Sequence, residues 1–262
     1  MRIGKQDNAT TSICTSDATS ITVRGMDLCS EVIGKVDFTS YFWLLVTGQM
    51  PDERQKVLAD AVLCAIAEHG LVPSVVATRM TFAAAPEAFH GAVAAGLLGC
   101  GSVVLGSAEV AGKFYAECIA RAEADGMTYE ESAKIGIAAL RAEKNAIPGF
   151  GHPQHSGGDP RAHRLFAIAQ EQGTEGKHMK MLRAIEAVLP EAIGRSLPIN
   201  VNGAIPVVML DAGFPLAALK GISLLARTAS LIAHLQEESE RPIGFIMSGA
   251  AAARIEFEPM EA

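Results

Sequence analysis

The order of apolar and polar positions spells helices along most of the chain. From Phe38 to Gly48 the apolar spacing is helical, Gly48 supplies a stop and Pro51 lies just beyond it. Asp52 is placed to cap a second helix whose stripe is Val57, Leu58, Ala61, Val62, Ala65 and Ile66 and whose end is Glu68-His69-Gly70. A helical run follows Pro73 through Arg79. Phe89–Gly99 then sets Gly91, Ala95 and Gly99 at helical intervals, a small-residue stripe suited to a tight helix pair, possible across a subunit interface. Ala108–Asp125 and Thr128–Lys144 read as amphipathic helices, the second opened by the capping-box pattern Thr128-Tyr-Glu-Glu131. Further helices are expected from Pro160 to about Gln172, from Lys177 to Val188 ahead of Pro190, and from about Pro215 to Glu238. Glu240-Arg241-Pro242 closes the helical part, ahead of a solvated acidic tail. Leu197–Val208 alternates apolar and polar residues. The strand-like signal is confined to the Thr- and Ser-rich residues 1–30, with Ser20–Val23 and a turn at Arg24-Gly25. This outline is all-α and excludes a doubly wound nucleotide fold.

Composition narrows the partners. A formal charge of −7 and a pI near 5.5 argue against nucleic acid or an anionic membrane as the main partner, while leaving room for a local basic pocket. Cys14, Cys29, Cys64, Cys100 and Cys118 are scattered with no CxxC spacing, which reads as structural thiols in a reducing, cytoplasmic compartment and not as metal ligands. Arg2, Lys5 and Asp7 precede no apolar run, so no secretory signal is expected. Ala88–Ala108 holds no Asp, Glu, Lys or Arg and is long enough to span a bilayer, but its many glycines, His90, Ser102 and Ser107 favour a buried soluble helix and a loop. No GxGxxG after a strand, GxxxxGK[ST] or HExxH occurs, nothing such as GxSxG proposes a serine triad, and no metal is expected.

Chemistry gathers in Ala146–Arg161, AIPGFGHPQHSGGDPR. Gly149 and Gly151 bracket Phe150, allowing close approach of backbone to a ligand, and His152 follows. Asp159-Pro160 is a helix-start pair, so Arg161 falls in a first turn. An imidazole and a guanidinium so placed suit a substrate with a hydroxyl or carbonyl and a carboxylate; the same loop also reads as a plain tight turn. The last long helix is apolar over most of its circumference, yet Lys220, Ser223, Arg227, Ser230 and His234 form one polar stripe. A buried Arg227 requires an anion, either an internal Asp or Glu or a bound carboxylate. His69, in the last turn of its helix, reads either as a cap or as a ligand-binding group.

The set Glu68-His69-Gly70, Ile147-Pro-Gly-Phe-Gly-His152, Asp159-Pro-Arg161, Asn200-Val-Asn202, Ala226-Arg227 with His234, and Glu240-Arg241-Pro242, in that order, resembles the citrate synthase superfamily. Gly96–Ser102 and Asn200–Gly213 look most like its short citryl-CoA lyase branch, which includes the C-terminal module of ATP-citrate lyase. The resemblance implies a homodimer with a large domain (1–106 and 216–262) and a small CoA-side domain (107–215) closing over a cleft. It implies that His69, Arg161 and Arg227 hold carboxylates, and that Arg241 reaches the partner's site. His152 would bond the carbonyl or hydroxyl of the substrate, and Ala146, Ile147, Pro148, Gly149, Phe150 and Gly151 would contact coenzyme A. No tightly bound cofactor is implied; the CoA thioester is substrate beside a small polycarboxylate. Two departures stand out. Leu105 occupies the place of a histidine that stabilises the thioester enolate in the synthases and that the lyase branch commonly lacks. Asn202 stands where the family has the aspartate that moves a proton at the acetyl methyl carbon, and an amide cannot be that base. The implied activity is retro-Claisen cleavage of a citryl-CoA-like thioester, with His152, Asn202 and His69 nearest the chemistry. The alternatives are condensation in the synthase direction and a binding paralogue without turnover.

Overall fold

The computed structural model describes residues 9–103, 105–151 and 158–260. Their contacts divide into two compact units, residues 1–60 and 61–262.

The first unit opens with a three-stranded antiparallel sheet, β1 (Cys14–Ser16), β2 (Ile21–Val23) and β3 (Met26–Asp27), in that order. Cys14 pairs with Val23 and Thr22 with Asp27. Arg24 and Gly25 both take positive φ, 51° and 86°, which matches the turn to the twist of β2 and β3 and confirms the expected turn. Helix α1 (Phe38–Thr47) starts because the Asp37 carboxylate accepts the Ser40 amide at 3.0 Å, and stops at Gly48 with φ 80°. Asp52 accepts the Gln55 amide at 2.8 Å and so opens α2 (Glu53–Ala67), as its position in the sequence indicates.

The second unit is helical: α3 (Pro73–Ala84), α4 (Phe89–Leu98), α5 (Ser107–Asp125), α6 (Tyr129–Ala142), α7 (Pro160–Glu171), α8 (Lys177–Ile193), α9 (Val201–Asp211), α10 (Leu219–Glu240) and α11 (Gly244–Arg254). The capping box at α6 is present, with Thr128 Oγ1 accepting the Glu131 amide and Glu131 accepting the Thr128 amide. Helix α3 packs on α4, α10 and α11, while α5, α6, α8 and α9 form a second bundle. The tight point of the α3–α4 pair is Gly96 and not the stripe Gly91, Ala95, Gly99. A Cβ on Gly96 would collide with Thr78, Leu231 and the Ser74 carbonyl, whereas Gly91 and Gly99 meet nothing closer than ordinary contact.

Three boundaries differ from the sequence reading. Helix α8 runs through Pro190 to Ile193, because a proline in a last turn removes only one bond and Gly194, at φ 74°, closes the end with its amide on the Pro190 carbonyl. The alternation at Leu197–Val208 yields only an isolated bridge, Phe150 with Ile199, before Asn200 caps α9. Helix α11 lies beyond the expected end of the helical part. Its alanine-rich segment carries helix propensity, and Gly244 seats its first turn against Ala83 and Glu238.

The segment Leu216–Glu240 is the one stretch among the described residues long and apolar enough to cross a membrane. Ser223, Arg227, Ser230 and Glu238 on it are buried within the protein, the pattern of a core helix. The apolar stretch at Ala88–Ala108 is divided by the end of α4 at Leu98.

Candidate active site

Within the second unit a cleft of about 740 Å³ collects most of the residues singled out above. Its walls are the α2–α3 loop with His69, the turn carrying Leu105 and Ser107, the loop Ala146–Gly151, the first turns of α7 and α9 with Arg161, Asn200 and Asn202, and Arg227 from α10. The starts of α3, α5, α7 and α9 all supply lining residues. Helix N-termini attract anions, and at α7 and α9 one is already in place: Asp159 accepts first-turn amides of both, from Arg161 at 3.1 Å and from Val201 at 2.9 Å.

The glycine loop is held by reciprocal backbone bonds. The Gly151 amide donates to the Pro198 carbonyl at 2.7 Å and the Asn200 amide to the Gly149 carbonyl at 3.0 Å. Asn200 Nδ2 donates to the Gly151 carbonyl at 2.6 Å while its Oδ1 accepts the Gly203 amide at 3.2 Å, so Asn200 joins the loop to the start of α9. Gly149, at φ 85°, lies against Gly203 and the Tyr115 hydroxyl so closely that a Cβ at either glycine would overlap them. Tyr115 is fully buried and donates to the Pro148 carbonyl at 3.3 Å. All six residues of Ala146–Gly151 line the cleft.

The cations are held differently. Arg161 is gripped in a fork by Asp159, Nε to Oδ1 at 3.0 Å and Nη2 to Oδ2 at 2.9 Å. Asp159 also accepts the Val201 amide at 2.9 Å, pinning α7 to α9. Burial works to raise the Asp159 pKa, but the bonds from Arg161 and Val201 outweigh it and hold the carboxyl below its ordinary range. Arg227 has no such partner. Its side chain is 3% exposed, Nη1 reaches Ser230 Oγ at 3.5 Å and Glu68 Oε2 only at 4.0 Å, and Nε has no hydrogen-bond partner among the described residues. Burial pushes its pKa down, and Glu68, too distant, does not restore it. Of the two anions left open for Arg227, the internal carboxylate is present but does not satisfy it.

Asn202 Oδ1 and Ser107 Oγ are also buried without a partner among the described residues, and both residues line the cleft. Leu105 lies at φ 63°, a left-handed conformation that costs an L-residue about 1–2 kcal/mol. It presents an apolar, buried side chain to the cleft. Arg241 is outside this cleft and exposed, its carbonyl accepting from Arg79 Nη2 at 3.1 Å. His152 lies outside the described residues.

Glu68 was quoted in the sequence motif without a role. Its signal was there: a carboxylate just past the C-terminus of α2 faces the negative end of the helix dipole and so needs donors of its own. Arg79 was passed over as well. It is 3% exposed and bonds Glu238 at 2.6 Å and Glu237 at 2.7 Å.

Residues 32–244 match the family model described as citrate synthase, C-terminal domain, and the chain belongs to the citrate synthase family. It is similar to citryl-CoA lyase from Hydrogenobacter thermophilus, at 27% identity and a TM-score of 0.84, over 97% of this chain and 96% of that one. ATP citrate lyase from Methanothrix soehngenii, solved with citrate and coenzyme A, shares the fold at 20% identity and a TM-score of 0.77. That match covers 99% of this chain and 43% of the longer one. Citrate synthase from Thermoplasma acidophilum, solved with carboxymethyl coenzyme A and oxaloacetate, matches at 19% identity and a TM-score of 0.68, covering 87% and 58%.

Proposed function

We propose that the chain is a carbon–carbon lyase that cleaves a citryl-CoA-like 3-hydroxyacyl thioester into acetyl-CoA and a 2-oxo acid. The observation that carries this reading is Arg227: a buried guanidinium, short of a partner, in the same cleft as His69, Arg161 and the Ala146–Gly151 loop. A carboxylate of the substrate supplies what Arg227 lacks. The match along nearly all of both chains with a citryl-CoA lyase supports the same reaction. His152 takes the proton of the 3-hydroxyl as the Cα–Cβ bond breaks. The hydroxyl carbon becomes the carbonyl of the 2-oxo acid, and the bonding pair passes to the thioester enolate. Asn202 cannot protonate that enolate, so water or another residue delivers the proton. Coenzyme A lies along Ala146–Gly151, and Arg241 serves the site of a second copy in a homodimer whose two domains close on the substrate. Incubation with citryl-CoA, followed by quantitation of acetyl-CoA and oxaloacetate, tests this; absence of both products contradicts it.

One observation favours a second reading. Asn202 in place of an acid preserves ligand holding better than proton transfer, as in a binding paralogue without turnover. General acid–base catalysis contributes about 10²–10⁴-fold. A wild-type protein that binds citrate with coenzyme A but turns over only as Asn202→Asp would establish the paralogue reading.

A further inference from the structure

Glu68 does not line the cleft, yet its carboxylate is the point at which two cleft walls meet. Oε1 accepts the backbone amides of His69, at 2.9 Å, and of Gly70. Oε2 accepts the Ser230 hydroxyl and faces His234 Nε2 at 3.0 Å. The other ring nitrogen of His234, Nδ1, lies 3.3 Å from Arg79 Nη1. A guanidinium only donates, so Nδ1 is the acceptor and Nε2–H donates to Glu68. Four donors therefore converge on one side chain, two from the α2–α3 loop and two from the polar stripe of α10. An ionised carboxylate, acceptor at both oxygens, satisfies all of them; an amide would bring its own N–H groups against two of the four. The bonds from Ser230, Gly70 and His234 accordingly outweigh burial, which opposes ionisation, and keep the Glu68 carboxyl below its ordinary range.

We propose that Glu68 is the positioning residue of the cleft, tying the His69 loop to Ser230 and His234 on α10 and so fixing His69 and Arg227 relative to one another before substrate arrives. The loop needs such a tie. Gly70, at φ 76°, turns the chain between α2 and α3, and Glu68 is what bonds that turn to α10. Arg227 is joined to the same carboxylate through Ser230, which receives Arg227 Nη1 at 3.5 Å. One side chain thus sets the place of an imidazole on a loop and a guanidinium on a helix, groups far apart in the chain. The inference rests on the reading of the cleft as a polycarboxylate site.

The test is calorimetric titration of citrate and of oxaloacetate into wild type, Glu68→Gln and Ser230→Ala, with citryl-CoA kinetics on the same proteins. Glu68→Gln weakens binding and raises KM about tenfold, the scale of one charge-assisted hydrogen bond, with kcat within about twofold. Ser230→Ala, which severs only the Arg227 side, loses less. The melting temperature of Glu68→Gln, taken alongside, stays near that of wild type because the Glu68 side chain is half exposed. Unchanged or tighter binding by Glu68→Gln overturns the proposal and makes Glu68 a competing counter-ion. Equal loss in KM and kcat overturns it too. Wild type that binds neither acid overturns the cleft reading and the proposal together, and that control separates the two failures. If citryl-CoA is not cleaved, the titrations alone decide.

Discussion

Two arginines in the second unit are equally removed from water and quite differently treated. Arg79 on α3 and Arg227 on α10 each have side chains 3% exposed. Around Arg79 every direction is answered: Glu238 at Nε, Glu237 at Nη1, the Arg241 carbonyl at Nη2. Glu238 in turn accepts the amides of Ile243 and Gly244 at 2.9 and 2.7 Å, so the pair also seats the start of α11. Burial alone would depress the Arg79 pKa, and the two glutamates reverse the sign. Around Arg227 burial keeps the upper hand. The same residue type at the same exposure is a structural tie where its anion is built in, and on the function proposed above it is a binding group where the anion is left to a ligand.

The comparison breaks most visibly in stability. Arg79→Met leaves Glu238 buried and uncompensated, and removal of one partner from a buried pair costs about 3–5 kcal/mol. Urea unfolding should show a loss of that size for Arg79→Met and little or none for Arg227→Met, which removes an underpaired charge. The second effect is on binding and runs in the opposite order. Arg227→Met should lose about a hundredfold in citrate or oxaloacetate affinity by titration, the cost of a fully desolvated charged hydrogen bond. A milder Arg79 variant, Arg79→Lys, should keep that affinity within a few fold. If both arginines fail in both assays alike, the distinction is wrong.

A smaller effect concerns Asp159, the anion of the intermediate case, Arg161. Its folded pKa lies below the ordinary value, so its contribution is present above an unfolded pKa of about 3.9 and is lost as pH falls through the lower, folded one. Unfolding free energies for wild type should therefore drop more steeply below about pH 4 than those of Asp159→Asn, whose profile flattens there. Parallel profiles would mean that the fork on Arg161 carries no net stability.

How much of this was legible in the sequence divides along the same line. Local signals were sufficient for most helix ends: Asp52, the capping box at Thr128, the stop at Gly48 and the Asp159-Pro160 start act within a turn of themselves. Where a longer-range bond decides, the reading slipped. Pro190 was read as a stop although Gly194 closes the helix a turn later, and the alternation around Asn200 was given no element although the Gly151 and Gly203 bonds make Asn200 a cap. The cleft followed the same rule. His69, Arg161, Arg227, Asn202 and the Ala146–Gly151 loop were named from motif order, and they meet in one cavity. The Asp159 fork on Arg161 was not foreseen, since the motif gave Asp159 only a capping role. Glu68 and Arg79 went without roles because their partners lie on α10, far away in sequence.

The central claim is that Arg227 is kept short of a partner for a substrate carboxylate. A crystal structure with citrate and coenzyme A bound tests it most directly. The account predicts a citrate carboxylate oxygen within about 3.2 Å of an Arg227 nitrogen, with Arg79 still held by Glu237 and Glu238. Citrate bound elsewhere, or seated in the cleft with Arg227 turned onto Glu68 instead, would contradict it.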